Sequence, residues 1–251
     1  MATIIMGMAE PREIETPDTA GEAAAPDALP PAALLRLMTW LSPAFPVGGF
    51  TYSHGLEWAV EDCTVRTAAD LQSWIAAILR HGAGWSDAIL FAHAWRAAQT
   101  DDGDGLAEVC ELAIALQPSR ERHLEATAQG RAFMLTVKAA WPDESLDRLG
   151  TGEITYPVAI AVASAIHGVP LPAALNAYLG AFAANLVSAA IRAVPLGQTD
   201  GQKTIAALTP LVEMLSIAAL DANLDDLGGA ALRADIASMK HETQYTRLFR
   251  S

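Results

Sequence analysis

The chain has 251 residues, 52% of them apolar, with a formal net charge of −13 and a pI near 4.7. That length fits one large domain or two small ones, since domains usually run roughly 100 to 200 residues. The acidic balance leaves no basic surplus to neutralise phosphates, which argues against nucleic acid and for basic protein partners or plain solubility. In chain order, residues 1–30 are rich in Ala, Pro, Glu and Asp without an apolar period, the composition of a disordered acidic arm. Arg12 is the only basic residue there and no apolar core or cleavage site follows, so no signal peptide is expected. The folded part is expected over residues 31–251.

The stretch "FPVGGFTYSHGLEWA", Phe45 to Ala59, comes next, with paired glycines, aromatic and hydroxyl side chains, and a His three residues before a Glu. Thr67 and Asp70 have capping-box form, and Leu71, Trp74, Ile75, Ile78 and Leu79 share one helical face that His81 and Gly82 terminate. Ser86 is predicted to cap a helix bearing Ile89, Leu90, Phe91 and Trp95. Ser119 is predicted to cap another, through Leu124, Ala128, Phe133 and Leu135. "ITYPVAIAVASAIHG" reads as a buried helix with Pro157 in its first turn. No period-two strand is found. The expected fold is all-α, a single-domain helical bundle of about ten helices. Cys63 and Cys110 form no CxxC or Cys/His cluster, so two buried free thiols in a reducing cytosol are expected.

From Val169 to Ile191 no residue is charged, and the length would cross a bilayer core of about 20 apolar residues. The segment is mostly Ala, contains Asn176, Asn185 and Ser188, and lacks flanking Lys and Arg clusters, so a central helix of a globular domain is the reading preferred over a membrane helix. Leu175, Leu179, Phe182 and Leu186 form a bulky stripe, and Gly180, Ala184 and Ser188 a small one expected to admit a second helix closely.

Three patterns invite chemistry. His54 and Glu57, three apart, are two metal-ligand types without a third, and the alternative is a helix entrance that uses Ser53 or His54 as cap and Glu57 in its first turn. "GQTDGQKT", Gly197 to Thr204, has the wrong glycine spacing for a phosphate loop, with Gln202 before Lys203. No GxSxG elbow is present. The last turns, about 238–251, gather Lys240, Arg247 and Arg250 with Tyr245, Leu248 and Phe249, a tail suited to folding onto another surface, its own body's or a partner's.

"SPAFPVGGFTYSHGLE", "SRERHLEATAQGRAF", "NLVSAAIRAVPLGQTDGQ" and "DIASMKHETQYTRLFRS" together resemble the urease accessory protein UreF family, from about Leu34 to Ser251. The resemblance implies a cytoplasmic all-α adaptor, not an enzyme. It implies a homodimer that bridges a UreG-type GTPase to a UreD (UreH) scaffold for nickel insertion into apo-urease, away from membrane and nucleic acid. Nickel and GTP are then handled by the complex, with no stably bound cofactor here. The implied contact residues are Gly48, Gly49, Phe50, Tyr52, Ser53, His54 and Glu57 in a first loop, and Ser119 and Arg120 in a polar element. Arg192 precedes a second loop, "VPLGQTDGQ", to which Gln198 and Gln202 belong, and His241, Glu242, Gln244, Tyr245, Arg247, Leu248, Phe249 and Arg250 belong to the tail. A transient nickel contact at His54 and Glu57 stays open. A metal-dependent hydrolase using those two residues, or a membrane-anchored helical protein, is the alternative.

Overall fold

A computed structural model describes residues 29–148 and 152–251, and the predicted arm, but for Leu29 and Pro30, lies outside them. The described residues form eleven α-helices and two short 3₁₀ turns, with no strand among them. Helix α1 (Pro31–Trp40) starts on a proline, whose missing N–H costs nothing at a helix start. After the 3₁₀ turn Gly49–Thr51 come α2 (Leu56–Glu61), α3 (Ala68–His81), α4 (Ala83–Thr100), α5 (Gly103–Ala115) and α6 (Arg120–Ala140). The short α7 (Glu144–Arg148) leads to α8 (Tyr156–Ile166), α9 (Leu171–Ala193), α10 (Gln198–Leu220) and α11 (Leu232–His241).

Local chemistry sets several boundaries. Thr67 and Asp70 make the predicted reciprocal capping box on α3, and the Ser119 hydroxyl accepts from the Arg122 N–H to open α6. Ser86 caps nothing: Gly82 closes α3 and opens α4 directly, leaving Ser86 within α4, where its hydroxyl donates to the Gly228 carbonyl. No loop separates those helices for a serine to cap. Helix α5 has no counterpart among the predicted elements, although Asp102 accepts from Gly105 N–H at its start.

Helix α8 is the hub, packed against α4, α6 and α9. Every residue from Pro157 to Ala165 is buried, which explains a helix with no polar face. Around it, Trp40 meets Phe133 and Trp141 edge-on, and Leu71, Ile75, Ile78, Phe91 and Leu179 are fully enclosed. Side chains of this size contribute about 1.5–3 kcal/mol each when buried. Leu124 and Leu135 of α6, by contrast, face outward, because the helix turns Glu121, Arg122, Glu125 and Gln129 inward in its first half and Phe133, Met134 and Val137 inward in its second.

The bulky stripe of α9 packs inward as predicted, with Leu175, Leu179 and Leu186 buried and Phe182 partly so. Among the described residues the small stripe makes no close helix contact at Gly180 or Ser188: a methyl group at Gly180 would touch nothing within 4 Å, and Ser188 is exposed. The close approach occurs instead at Gly201 of α10, where a Cβ would lie 2.4 Å from Ile191 Cδ1. Among the described residues α9 and α10 are both long and apolar enough to cross a membrane, and each is partly buried against the bundle. Neither cysteine is buried: Cys63 is exposed and Cys110 partly so. Cys63 stands at the exposed end of α2 with φ 63°, outside the core.

Candidate functional site

The stretch from Gly48 to Glu57 folds tightly against the end of the chain. Gly48, His54 and Gly55 all adopt left-handed backbone, at φ 73°, 59° and 74°. Only glycine fits at position 55, since a Cβ there would lie 2.7 Å from the Ser238 backbone nitrogen on α11. This contact seats α2 on α11 and aims Glu57 inward.

Glu57 then holds the tail. Its Oε1 accepts from the Leu248 N–H at 2.7 Å, and its Oε2 accepts from the Phe249 N–H at 3.0 Å. The same Oε2 lies 3.0 Å from His241 Nε2, while His241 Nδ1 lies 2.5 Å from Glu121 Oε2. Glu121 also accepts from the Arg247 guanidinium at 2.7 Å. Further along, Arg250 N–H donates to the Thr51 carbonyl at 2.7 Å and Ser53 N–H to the Ser251 carbonyl at 2.5 Å. The Ser53 hydroxyl donates to the same carbonyl. Arg192 finishes the dock, lying 3.6 Å from the Phe50 ring centre and 4.4 Å from that of Phe249.

A second charged group lies deeper. Arg122 pairs with Glu125, which also accepts from the Ser251 hydroxyl at 2.5 Å. Burial pushes the Glu125 carboxyl up, but the Arg122 charge outweighs it and holds the group well below the usual carboxylate range. Burial, reinforced by Arg122, pushes His54 down to about 4, so its ring is neutral near pH 7. Burial pushes Asp87 up to about 6 against the opposing pull of Arg122 and of the Tyr178 hydroxyl, which donates to it at 2.9 Å. A cavity of about 180 Å³ beside this group is lined by His54, Ser86, Asp87, Arg122, Asp235 and Ser238.

The predicted contact residues therefore divide. Gly48, Phe50, Arg120, Gln198, Gln202, Tyr245, Arg247, Leu248 and Arg250 are exposed, and Gly49, Ser119, Arg192, Glu242 and Gln244 partly so. Tyr52, Ser53, His54, Glu57, His241 and Phe249 are buried inside the chain. Phe249, expected as an outward anchor, is a core side chain 5% exposed, whereas Leu248 is 73% exposed and Tyr245 fully so. The tail is shorter than expected, because 238–241 belong to α11. Gln198 and Gln202 sit in the first two turns of α10, not in a loop. His54 and Glu57 diverge, His54 toward Glu125 at 3.6 Å and Glu57 to the tail, so the pair does not present a ligand set. Among the described residues no three His, Cys, Asp or Glu side chains are grouped to hold a metal ion.

Sequence reasoning missed Glu121, Arg122, Glu125 and Asp87. The signal was the helical spacing of Glu121, Arg122, Glu125 and Gln129, a polar face on a helix whose opposite face carries Leu124 and Leu135.

Fold and site define an all-helical protein whose inward charges fasten its own C-terminal segment. The UreF family model matches residues 65–209. A "Urease accessory protein UreF" of Rhodopseudomonas palustris strain BisB18 is 57% identical over 223 residues, covering 88% of this chain and 92% of that protein. Those of Bradyrhizobium sp. strain BTAi1 and Bradyrhizobium diazoefficiens are 53% and 51% identical, covering 87% and 94% of this chain and 92% and 97% of theirs. The chain belongs to the UreF family of urease accessory proteins.

Proposed function

We propose that this chain is a cytoplasmic, non-enzymatic adaptor in urease maturation. It acts as a homodimer that bridges a UreG-type GTPase to a UreD/UreH scaffold while nickel is inserted into apo-urease. GTP binding and hydrolysis belong to the GTPase, and nickel is the cargo of the assembly. The metal ligand role is not assigned to His54 or Glu57, since they serve separate interior contacts.

The observation that carries this reading is the outward face of the docked tail. Tyr245 and Leu248 project into solvent beside Arg247 and Arg250, a basic and apolar surface on a chain of net charge −13. Fastening from below by Glu57 and Glu121 holds that surface in one shape, which lowers the ordering cost of binding. Exposed aromatic and apolar anchors flanked by arginine suit an acidic protein partner.

The test is the affinity of this chain for UreD and UreG, together with urease activation with and without it. Truncating the tail would confuse binding with folding, because Phe249 is part of the core. The double variant Tyr245→Ala, Leu248→Ala removes only exposed atoms. It is expected to bind the scaffold about a hundredfold more weakly with an unchanged melt, as loss of two anchors implies. Unchanged affinity would refute docking through this face.

A further inference from the structure

His241 is fully enclosed, with each ring nitrogen facing a carboxylate: Nδ1 lies 2.5 Å from Glu121 and Nε2 3.0 Å from Glu57. An ionised carboxylate only accepts, so both ring nitrogens must donate, and the geometry calls for the imidazolium form. A neutral ring would turn a lone pair toward one of the two carboxylates. The same two carboxylates carry the tail, Glu57 through the Leu248 and Phe249 amides and Glu121 through Arg247.

We propose that His241 is a proton-dependent clasp, holding residues 243–251 against the body while doubly protonated and releasing them when it loses a proton. The groups around it support this coupling. From α2 it faces Glu57, and from α6 it faces Glu121. Arg122 and Glu125 stand a turn further in, paired with each other. The tail contributes Arg247, which shares Glu121. On its own helix Lys240 is exposed and Asp235 partly buried, while Glu242 just beyond accepts from the Arg120 N–H at 2.9 Å. Arg247, the other cation on this carboxylate pair, binds the far oxygen of Glu121, so loss of the imidazolium charge leaves one of Glu57 and Glu121 facing a ring lone pair and removes the positive charge that separates the two carboxylates. The helices carrying the tail's anchor points then repel at the position where they must stay close. Release uncovers Ser53 and Glu125, which the last residue now covers, and frees Phe249 from Arg192.

Hydrogen–deuterium exchange of the full chain, followed by mass spectrometry, reads the clasp. Protection of residues 243–251, normalised to a synthetic peptide of that sequence at each pH, is expected to fall about tenfold or more between about pH 5.5 and about pH 9.5. That span covers imidazole titration in proteins generally, and the fold-change is that of one charge-assisted hydrogen bond lost. Peptides from α4 and α8 should keep their protection. His241→Gln should hold the tail loosely at every pH. Glu121→Gln supplies an amide that donates to a neutral ring, and should keep the tail protected across the range. Tail protection that stays flat with pH in the unaltered chain, or that falls equally in Glu121→Gln, would overturn the proposal.

Discussion

The Phe249 amide donates to the Glu57 carboxylate across 192 positions of the chain, 3.0 Å apart in a buried setting. One acidic side chain near the start of the fold thereby holds the residues near its end. The Leu248 amide uses the other oxygen of the same group, so Glu57 is saturated by donors that no nearby sequence supplies.

Replacing that group should loosen both ends together. Glu57→Ala strands the buried Phe249 amide, the partly buried Leu248 amide and one side of His241, at an expected cost of about 2–4 kcal/mol. Urea denaturation would measure it, and tryptic cleavage after Arg247 should accelerate in parallel. A variant with unchanged stability and an intact tail would show that Glu57 is not the fastening point.

The two adjacent tail residues should behave oppositely. Phe249→Ala empties a core site and strips a ring from Arg192, with an expected loss of about 3–5 kcal/mol. Leu248→Ala removes exposed atoms and should stay within about 0.5 kcal/mol. Thermal melts of both variants decide it, and equal effects would place the two side chains in similar surroundings.

Asp87 gives stability a pH dependence of known sign. Its carboxyl titrates near 6 in the folded chain, above the ordinary 3.8, so folding is favoured by its proton. That contribution is complete below about pH 3.8 and disappears as pH rises through about 6, amounting to about 3 kcal/mol at most. Asp87→Asn cannot lose a proton there. The stability of the unaltered chain relative to this variant should therefore decline between about pH 4 and about pH 7, and a constant difference over that interval would show that Asp87 titrates normally.

Two glycines should respond in opposite directions. Gly55→Ala combines a left-handed backbone with a methyl 2.7 Å from the Ser238 nitrogen, and should cost about 2 kcal/mol or more. Gly180→Ala meets nothing within 4 Å in the middle of α9 and should stabilise by about 0.5–1 kcal/mol. Calorimetric melts of both test the local geometry. Destabilisation by Gly180→Ala, with a changed elution volume, would reveal a second copy packed on the small stripe.

Local signals in the sequence were enough to determine the helical class, the capping box at Thr67 and Asp70, the cap at Ser119, the early proline of α8 and the buried bulky face of α9, because capping and periodicity act within a few residues. The glycine-rich stretch and the basic, aromatic tail were likewise legible as unusual. Only the tertiary structure decided that these two belong together, that Phe249 turns inward while Leu248 turns outward, and that α6 directs Glu121, Arg122 and Glu125 toward the interior. A charged side chain reads as exposed from sequence alone, since burial is costly without a partner. Arg122 and Glu125 pair locally on α6, but the partners of Glu121 are His241 and Arg247 and those of Glu57 include two backbone amides, all more than 100 residues away along the chain, and only folding brings them within reach.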